Sequence, residues 1–403
     1  MAKIGSVLLD ENGIIDGGLA LLLTERSKKG REFTYRNARI KIAVGSAYVV
    51  ACFSGANSKD DALTLGYELI HEALDYMSLT GCGDFATSNI EDEYIVWWKS
   101  QGKITIAVDT TANLPFSVGS IELIVRDPSG NIIPPTITPV NYDPAFRYYR
   151  LSQVSTDLFD AFRNMYLSFE LLISTKHPIV KNQREADWIK LVLTNELSTL
   201  GLAALCPPSQ AAPVDYIFKT IYTDARLPLF HAKDRKAYFL AQKNPQERKQ
   251  ISDALALLTQ IVIRIADIWY NTRRIGGGVN LEILDDANLG IFATAIYTVT
   301  SNPAIPNETD DLSSAAYSEG LQFSASTMPA VKSVQRFHIY GSTTSNSLSS
   351  QQPLRGLHIG NSTSPLIYNC LEDSLDISGT DFFEISTFIR NFNASEPRTL
   401  FQR

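Results

Sequence analysis

From residue 1 to about 150, short runs of β-branched and aromatic residues alternate with turn residues. Tyr94-Ile-Val-Trp-Trp, Lys103-Ile-Thr-Ile-Ala-Val, Ile121-Glu-Leu-Ile-Val-Arg and the apolar run over 40–53 are bounded by Gly, Asn, Asp and Pro, the pattern of β-strands. Asn12-Gly13 lies between apolar runs and predicts a tight hairpin turn, because both central residues of that turn need positive φ. One helix is expected inside this zone. After Ser58-Lys-Asp-Asp61, residues Leu63, Leu65, Leu69, Ile70, Ala73, Leu74 and Met77 recur at roughly helical spacing. His71 on that helix reads as an ordinary surface or core histidine rather than a ligand. The Pro-rich stretch 132–139 marks the edge of the zone.

From about 152 to 275 the period becomes helical. Ser155-Thr-Asp offers an N-cap, and Phe159, Phe162, Tyr166, Phe169 and Ile173 follow at spacings of three and four. A second helix is expected over 183–200, stopped by Gly201 and by Cys206-Pro-Pro208. A third starts at Pro213 and carries Val214, Ile217, Phe218, Ile221, Tyr222 and Ala225, with Pro228 expected to end it. The fourth opens at Asn244-Pro and carries Ile251, Leu255, Leu258, Ile261, Val262, Ile265, Ile268 and Trp269 up to Gly276-Gly-Gly278. Beyond the glycines, Val279-Asn-Leu-Glu-Ile-Leu and the run from Gly290 to Thr300 suggest strands, as do Val334-Gln-Arg-Phe-His-Ile-Tyr and Phe382-Phe-Glu-Ile-Ser-Thr-Phe-Ile. The expected class is α+β: a β-rich domain over 1–150, an all-helical bundle over 151–275, and a β-rich, loop-rich region over 276–403 that can pack onto the first zone.

Composition narrows the function classes. The chain has 403 residues, a net charge of −7 and ordinary hydrophobic content, which fits a globular protein and argues against one that coats nucleic acid without specificity. No apolar run reaches the roughly 20 residues that a spanning helix needs, and the N-terminus lacks a secretory apolar core, so a cytoplasmic location and no membrane partner are expected. Cys52, Cys82, Cys206 and Cys370 are widely spaced, with no C-x-x-C pair, and read as reduced, buried small hydrophobes rather than zinc ligands. No phosphate loop, nucleophile elbow or H-E-x-x-H occurs, and the acidic run Glu91-Asp-Glu93 reads as a solvated turn. Neither a metal nor a cofactor is expected.

Candidate chemistry concentrates at the end of the third helix. Arg226 and His231 stand five positions apart. A guanidinium can hold a phosphate bidentately, and an imidazole can move a proton to or from a ribose hydroxyl or leaving oxygen, so the pair suffices in principle for metal-free phosphodiester cleavage. Residues 219–249 hold eight basic side chains against three acidic ones, reversing the sign of the whole chain, and Lys233, Arg235 and Lys236 are the candidate substrate-binding cations. The alternative is structural: Arg226 caps a helix end and His231 bonds a backbone carbonyl.

A helix bearing Tyr166 and Glu170, an amphipathic helix ending in Arg-x4-His, and a final long apolar helix together resemble the HEPN domains, over about residues 152–275. Asp160-Ala-Phe-Arg-Asn-Met-Tyr-Leu-Ser-Phe-Glu, Glu185-Ala-Asp-Trp-Ile-Lys and Phe230-His-Ala-Lys also resemble an uncharacterised bacterial family described as methylamine-utilisation-like. The HEPN resemblance implies a metal-independent endoribonuclease of a toxin or antiphage system, acting as a homodimer on RNA. It implies Arg226 as phosphate binder and His231 as acid/base group, with Tyr166 and Glu170 in support. Leu227 stands where the family is usually polar, and Pro228 lies inside the motif. A non-catalytic interaction or dimerisation module, with a protein or ligand trigger bound at the β-rich zones, is the other reading the resemblance allows.

Overall fold

The structure is a computed structural model that describes residues 1–10, 16–90, 92–116, 128–130, 142–155, 157–230, 245–272, 281–303, 320–328, 337–360 and 365–393. Along the chain the first elements are β1 (Lys3–Ile4), β2 (Val7–Leu8), β3 (Gly17–Leu22), β4 (Arg31–Tyr35), β5 (Ala38–Ile42), β6 (Tyr48–Phe53), α1 (Lys59–Leu79), β7 (Glu93–Ser100) and β8 (Lys103–Phe116). Helices α2 (Ala145–Val154), α3 (Leu158–Lys176), α4 (Glu185–Glu196), α5 (Pro213–Phe218), α6 (Leu227–Phe230), α7 (Pro245–Tyr270) and α8 (Leu281–Ile291) follow. The last strands are β9 (Ile296–Thr300), β10 (Leu321–Met328), β11 (Phe337–Thr344), β12 (Leu354–Gly360), β13 (Pro365–Ile367), β14 (Cys370–Asp376) and β15 (Phe382–Asn393).

The described chain forms two compact units, one of residues 1–114 with 280–391 and one of residues 115–279 with 392–403. The first is built on a single sheet in the order β2-β1-β14-β12-β9-β10-β11-β15-β8-β7-β3-β6-β5-β4, with β13 beside β12. Asp381 donates its backbone N–H to the Ile104 carbonyl and Thr110 bonds Thr387, the same sequence offset at both places, so β15 runs parallel to β8 while the β7–β8 ribbon is antiparallel. Gln101 and Gly102 both take positive φ and close that ribbon tightly. Alternation along β7 buries both faces: Ile95 and Trp97 join a core shared with Tyr297, Ile339 and Ile385, while Val96 and Trp98 join a second core under α1. Helix α1 starts where Ser58 accepts a bond from the Asp61 N–H at 3.1 Å, and it buries Ala62, Leu69, Ile70, Ala73 and Met77 along one stripe.

In the second unit, α3 is capped by Asp157, the last residue of the Ser155-Thr-Asp segment, whose carboxylate accepts the Asp160 N–H at 2.9 Å. Its stripe of Phe159, Phe162, Tyr166, Phe169 and Ile173 packs into one core with Trp188, Ile189, Ile217, Ile221 and the apolar face of α7. Helix α4 ends before Gly201, which takes the left-handed conformation, and Arg264 donates to the Leu200 and Gly201 carbonyls at 3.0 and 2.8 Å.

These observations correct the expected class. The β-rich ends are not separate domains: β1 pairs with β14 and β8 with β15, so the two ends form one large mixed sheet. Among the described residues an all-helical HEPN bundle is not evident. The expected third helix is a six-residue α-helix, an eight-residue π-helical segment (Lys219–Arg226) and the four-residue α6, and Pro228 lies inside that run instead of ending it. Of the expected strand Val279-Asn-Leu-Glu-Ile-Leu, the described residues 281–284 belong to α8, and α2 is a helix that periodicity did not announce. The Asn12-Gly13 turn and Gly276–Gly278 lie outside the described residues. No described helix is long and apolar enough to cross a membrane.

Candidate functional site

A polar cluster forms inside the second unit where α3, the start of α4 and the π-helical segment meet. Tyr166 and Glu170 are four residues apart on α3 and share one face. Glu185 is the first residue of α4, a place where the helix dipole favours an acid. Tyr222 and Arg226 come from the π-helical segment, whose insertion shifts the helix face relative to a regular α-helix. Arg226 Nη2 pairs with Glu185 Oε2 at 2.9 Å, and the Tyr166 hydroxyl donates to the other carboxylate oxygen at 3.0 Å. The Tyr222 hydroxyl approaches Glu185 Oε2 at 3.4 Å, a longer contact. The guanidinium carbon lies 5.7, 5.5 and 5.3 Å from the ring centres of Tyr166, Tyr222 and Phe230, within cation–π range.

Burial sets the electrostatics. The Arg226 side chain is 15% exposed and that of Glu185 27%, so the pair is shielded but not sealed. Desolvation, helped by the Glu185 charge, raises the pKa of Glu170, while Arg226 acts against the shift. Tyr166 is pushed well above the usual phenol range, first by burial and then by Glu185, so it acts as a hydrogen-bond donor and not as a base. One cation thus faces two carboxyls, of which Glu170 holds its proton more tightly than a solvated acid.

No family model, curated protein or solved structure matches this chain.

Of the residues singled out by sequence, the structure brings Arg226, Tyr166 and Glu170 together. His231, Lys233, Arg235 and Lys236 lie outside the described residues. The described part of the basic stretch is not an open cationic face: Lys219 pairs with Asp224, Lys249 pairs with Asp253 at 2.7 Å, and Arg248 is 2% exposed. Glu185 and Tyr222 are the members that spacing did not single out. Tyr222 stood as one position of an apolar stripe, and Glu185 only as the start of the segment Glu185-Ala-Asp-Trp-Ile-Lys that carried a family resemblance; their convergence on Arg226 distinguishes them.

Elsewhere, Glu93 corrects the reading of Glu91-Asp-Glu93 as a solvated turn. Its carboxyl is buried on β7, accepts the Tyr48 hydroxyl, and is pushed up to about 8 by desolvation and by the charges of Glu372 and Asp373. Among the described residues no group of His, Cys, Asp and Glu is arranged to hold a metal. All four cysteines are free thiols, and Cys82 is exposed rather than buried.

Proposed function

We propose that the second unit is a cytoplasmic, metal-independent endoribonuclease, of the kind used in toxin or antiphage systems, with Arg226 as the phosphate-holding group and His231 as the proton-transfer group. The observation that carries this reading is the convergence of Arg226 with Glu170, whose pKa is raised, and with the Tyr166 and Tyr222 phenols at one half-shielded place. In the reaction, the ribose 2′-hydroxyl loses its proton to a base and attacks phosphorus, and the departing 5′-oxygen gains a proton. Arg226 neutralises the added charge on the phosphoryl oxygens. A phosphate reaching Arg226 replaces Glu185 as its anionic partner, and the raised pKa of Glu170 lessens the repulsion that phosphate meets.

The Arg226–Glu185 ion pair favours a second reading, in which the cluster is a fixed structural node and the unit is a non-catalytic interaction module. One experiment separates the two: cleavage of RNA by purified protein in excess chelator, wild type beside Arg226→Ala and His231→Ala. The ribonuclease reading expects cleavage by wild type and a loss of about 100-fold or more in each variant, the scale of a lost acid/base or charge-stabilising group. Absence of cleavage by wild type, or equal cleavage by all three, leaves the interaction module.

A further inference from the structure

The first unit contains a cleft of about 500 Å³ between residues 24–31, which lead into β4, and residues 81–86, which follow α1. That volume lies within the range of small-ligand clefts. Four cations line it, Arg26, Lys28, Lys29 and Arg31, against two acids, Glu25 and Asp84, in a chain whose overall charge is negative.

These cations differ in how they are held. Arg26 is pinned by Glu372 and Asp373 at 3.0 and 2.7 Å, and Asp373 is itself fixed by Ser46 and the Ala47 N–H, so Arg26 forms a rigid wall. Arg31 is oriented by the Cys82 carbonyl at 2.9 Å, a neutral acceptor, and forms no ion pair among the described residues. Lys28 and Lys29 are exposed, and neither forms an ion pair among the described residues. They sit on a turn fixed by Ser27, whose hydroxyl donates to the Lys29 carbonyl at 2.6 Å. Of the acids, Asp84 is engaged by the Ser78 hydroxyl at 2.5 Å. The half-buried Phe85 ring, which packs on one side against the core under α1, also lines the cleft. Gly83, at φ +154°, makes room for it, because a Cβ there would come within 2.7 Å of that ring.

Cations without an ion-pair partner among the described residues and an aromatic ring lining the same cleft match a ligand with a polyanionic end and a flat, stackable end. We propose that this cleft binds a nucleoside polyphosphate, with Lys28, Lys29 and Arg31 on the phosphates and Phe85 against the base. Such a ligand makes the β-sheet unit a nucleotide-responsive part of the protein, and its binding is independent of whether the second unit cleaves RNA.

The test is calorimetric titration of the full chain with ATP and, separately, with inorganic tripolyphosphate. Wild type, the double variant Lys28→Glu/Lys29→Glu and Phe85→Ala are compared at 50 and 300 mM NaCl. The expected result is ATP binding that weakens with salt and falls at least 10-fold in the double variant, whose substitutions are exposed and leave the melting temperature unchanged. Phe85→Ala is expected to weaken ATP by about 5-fold or more while leaving tripolyphosphate binding unaltered, as loss of a stacking contact requires. Absence of ATP binding by wild type, ATP binding indifferent to both sets of substitutions, or equal affinity for ATP and tripolyphosphate in wild type overturns it.

Discussion

Gln250 Nε2 donates to the Asp224 carbonyl at 3.0 Å, and Asp224 is the residue whose carbonyl a regular helix would serve with the N–H of residue 228. Pro228 has no N–H to give. The π-helical segment ends at Arg226 and the chain continues as helix to Phe230, with the Gln250 side chain of α7 serving the Asp224 carbonyl at that junction. Replacing Gln250 with Ala is therefore expected to cost about 1 kcal/mol in wild type, the usual net value of one hydrogen bond, and less in a Pro228→Ala background, where a backbone donor is restored. Urea denaturation of the four proteins of this cycle measures the coupling. A cost that is identical in both backgrounds refutes the link between Gln250 and the missing N–H.

Arg226→Met leaves Glu185 half-buried beside Glu170 without its cation. Removal of one partner of a shielded pair is expected to destabilise by about 2–3 kcal/mol, and adding Glu185→Gln should recover a substantial part of that loss. Thermal melts of the single and double variants check this. If Glu185→Gln recovers nothing, the carboxylate was not what Arg226 was neutralising.

How much of this was legible in sequence depended on the range of the interaction. Ser58 and the stripe from Leu69 to Met77 announced α1 because capping and side-chain spacing act within one or two turns. The parallel pairing of β8 with β15 joins residues 277 positions apart, and no local pattern in either strand encodes it. The same limit applied to the site. Arg226 was visible through its spacing from His231, and Tyr166 and Glu170 only through a family resemblance, whereas Glu185 gained a role only where the fold carried the start of α4 to the guanidinium. Pro228 misled because the rule that proline ends a helix assumes regular α-helical bonding, and here a π-helical segment precedes it while Gln250 serves the Asp224 carbonyl from outside. Glu93 misled in the opposite sense: acidic runs are usually solvated, and nothing near it in sequence signals that the strand turns its carboxyl toward Tyr48 and β14.

Gly18 on β3 is paired across the ladder with Trp97 of β7. A Cβ at Gly18 would lie 2.1 Å from the indole Cζ2 and 2.4 Å from the Ala51 carbonyl oxygen, and Trp97 is fully buried. Here glycine is required by close approach and not by backbone angle. Gly18→Ala is expected to destabilise the protein by about 3 kcal/mol or more, at the upper end of overpacking costs, and to raise near-ultraviolet exposure of Trp97. Co-substitution Trp97→Leu should relieve part of the loss. Full stability of Gly18→Ala in denaturant titration would show that the indole is free to move.

Glu93 couples the stability of the sheet to pH. Its carboxyl is held up to about 8 by burial, by Glu372 and by Asp373, against a usual value of 4.5, while Tyr48 donates a hydrogen bond to it. In the unfolded chain Glu93 loses its proton near 4.5, so between that pH and 8 the folded protein binds the extra proton. The sign follows: stability from this group is fully present below about pH 4.5, declines as pH rises, and is flat again above 8. The size is on the order of a few kcal/mol, spread over that interval. Glu93→Gln keeps an acceptor for Tyr48 and cannot ionise. Guanidinium unfolding at pH 5, 6.5 and 8 is therefore expected to show wild type losing stability steadily relative to Glu93→Gln. A difference between the two proteins that does not change across those pH values would mean that Glu93 ionises in the fold as it does in water.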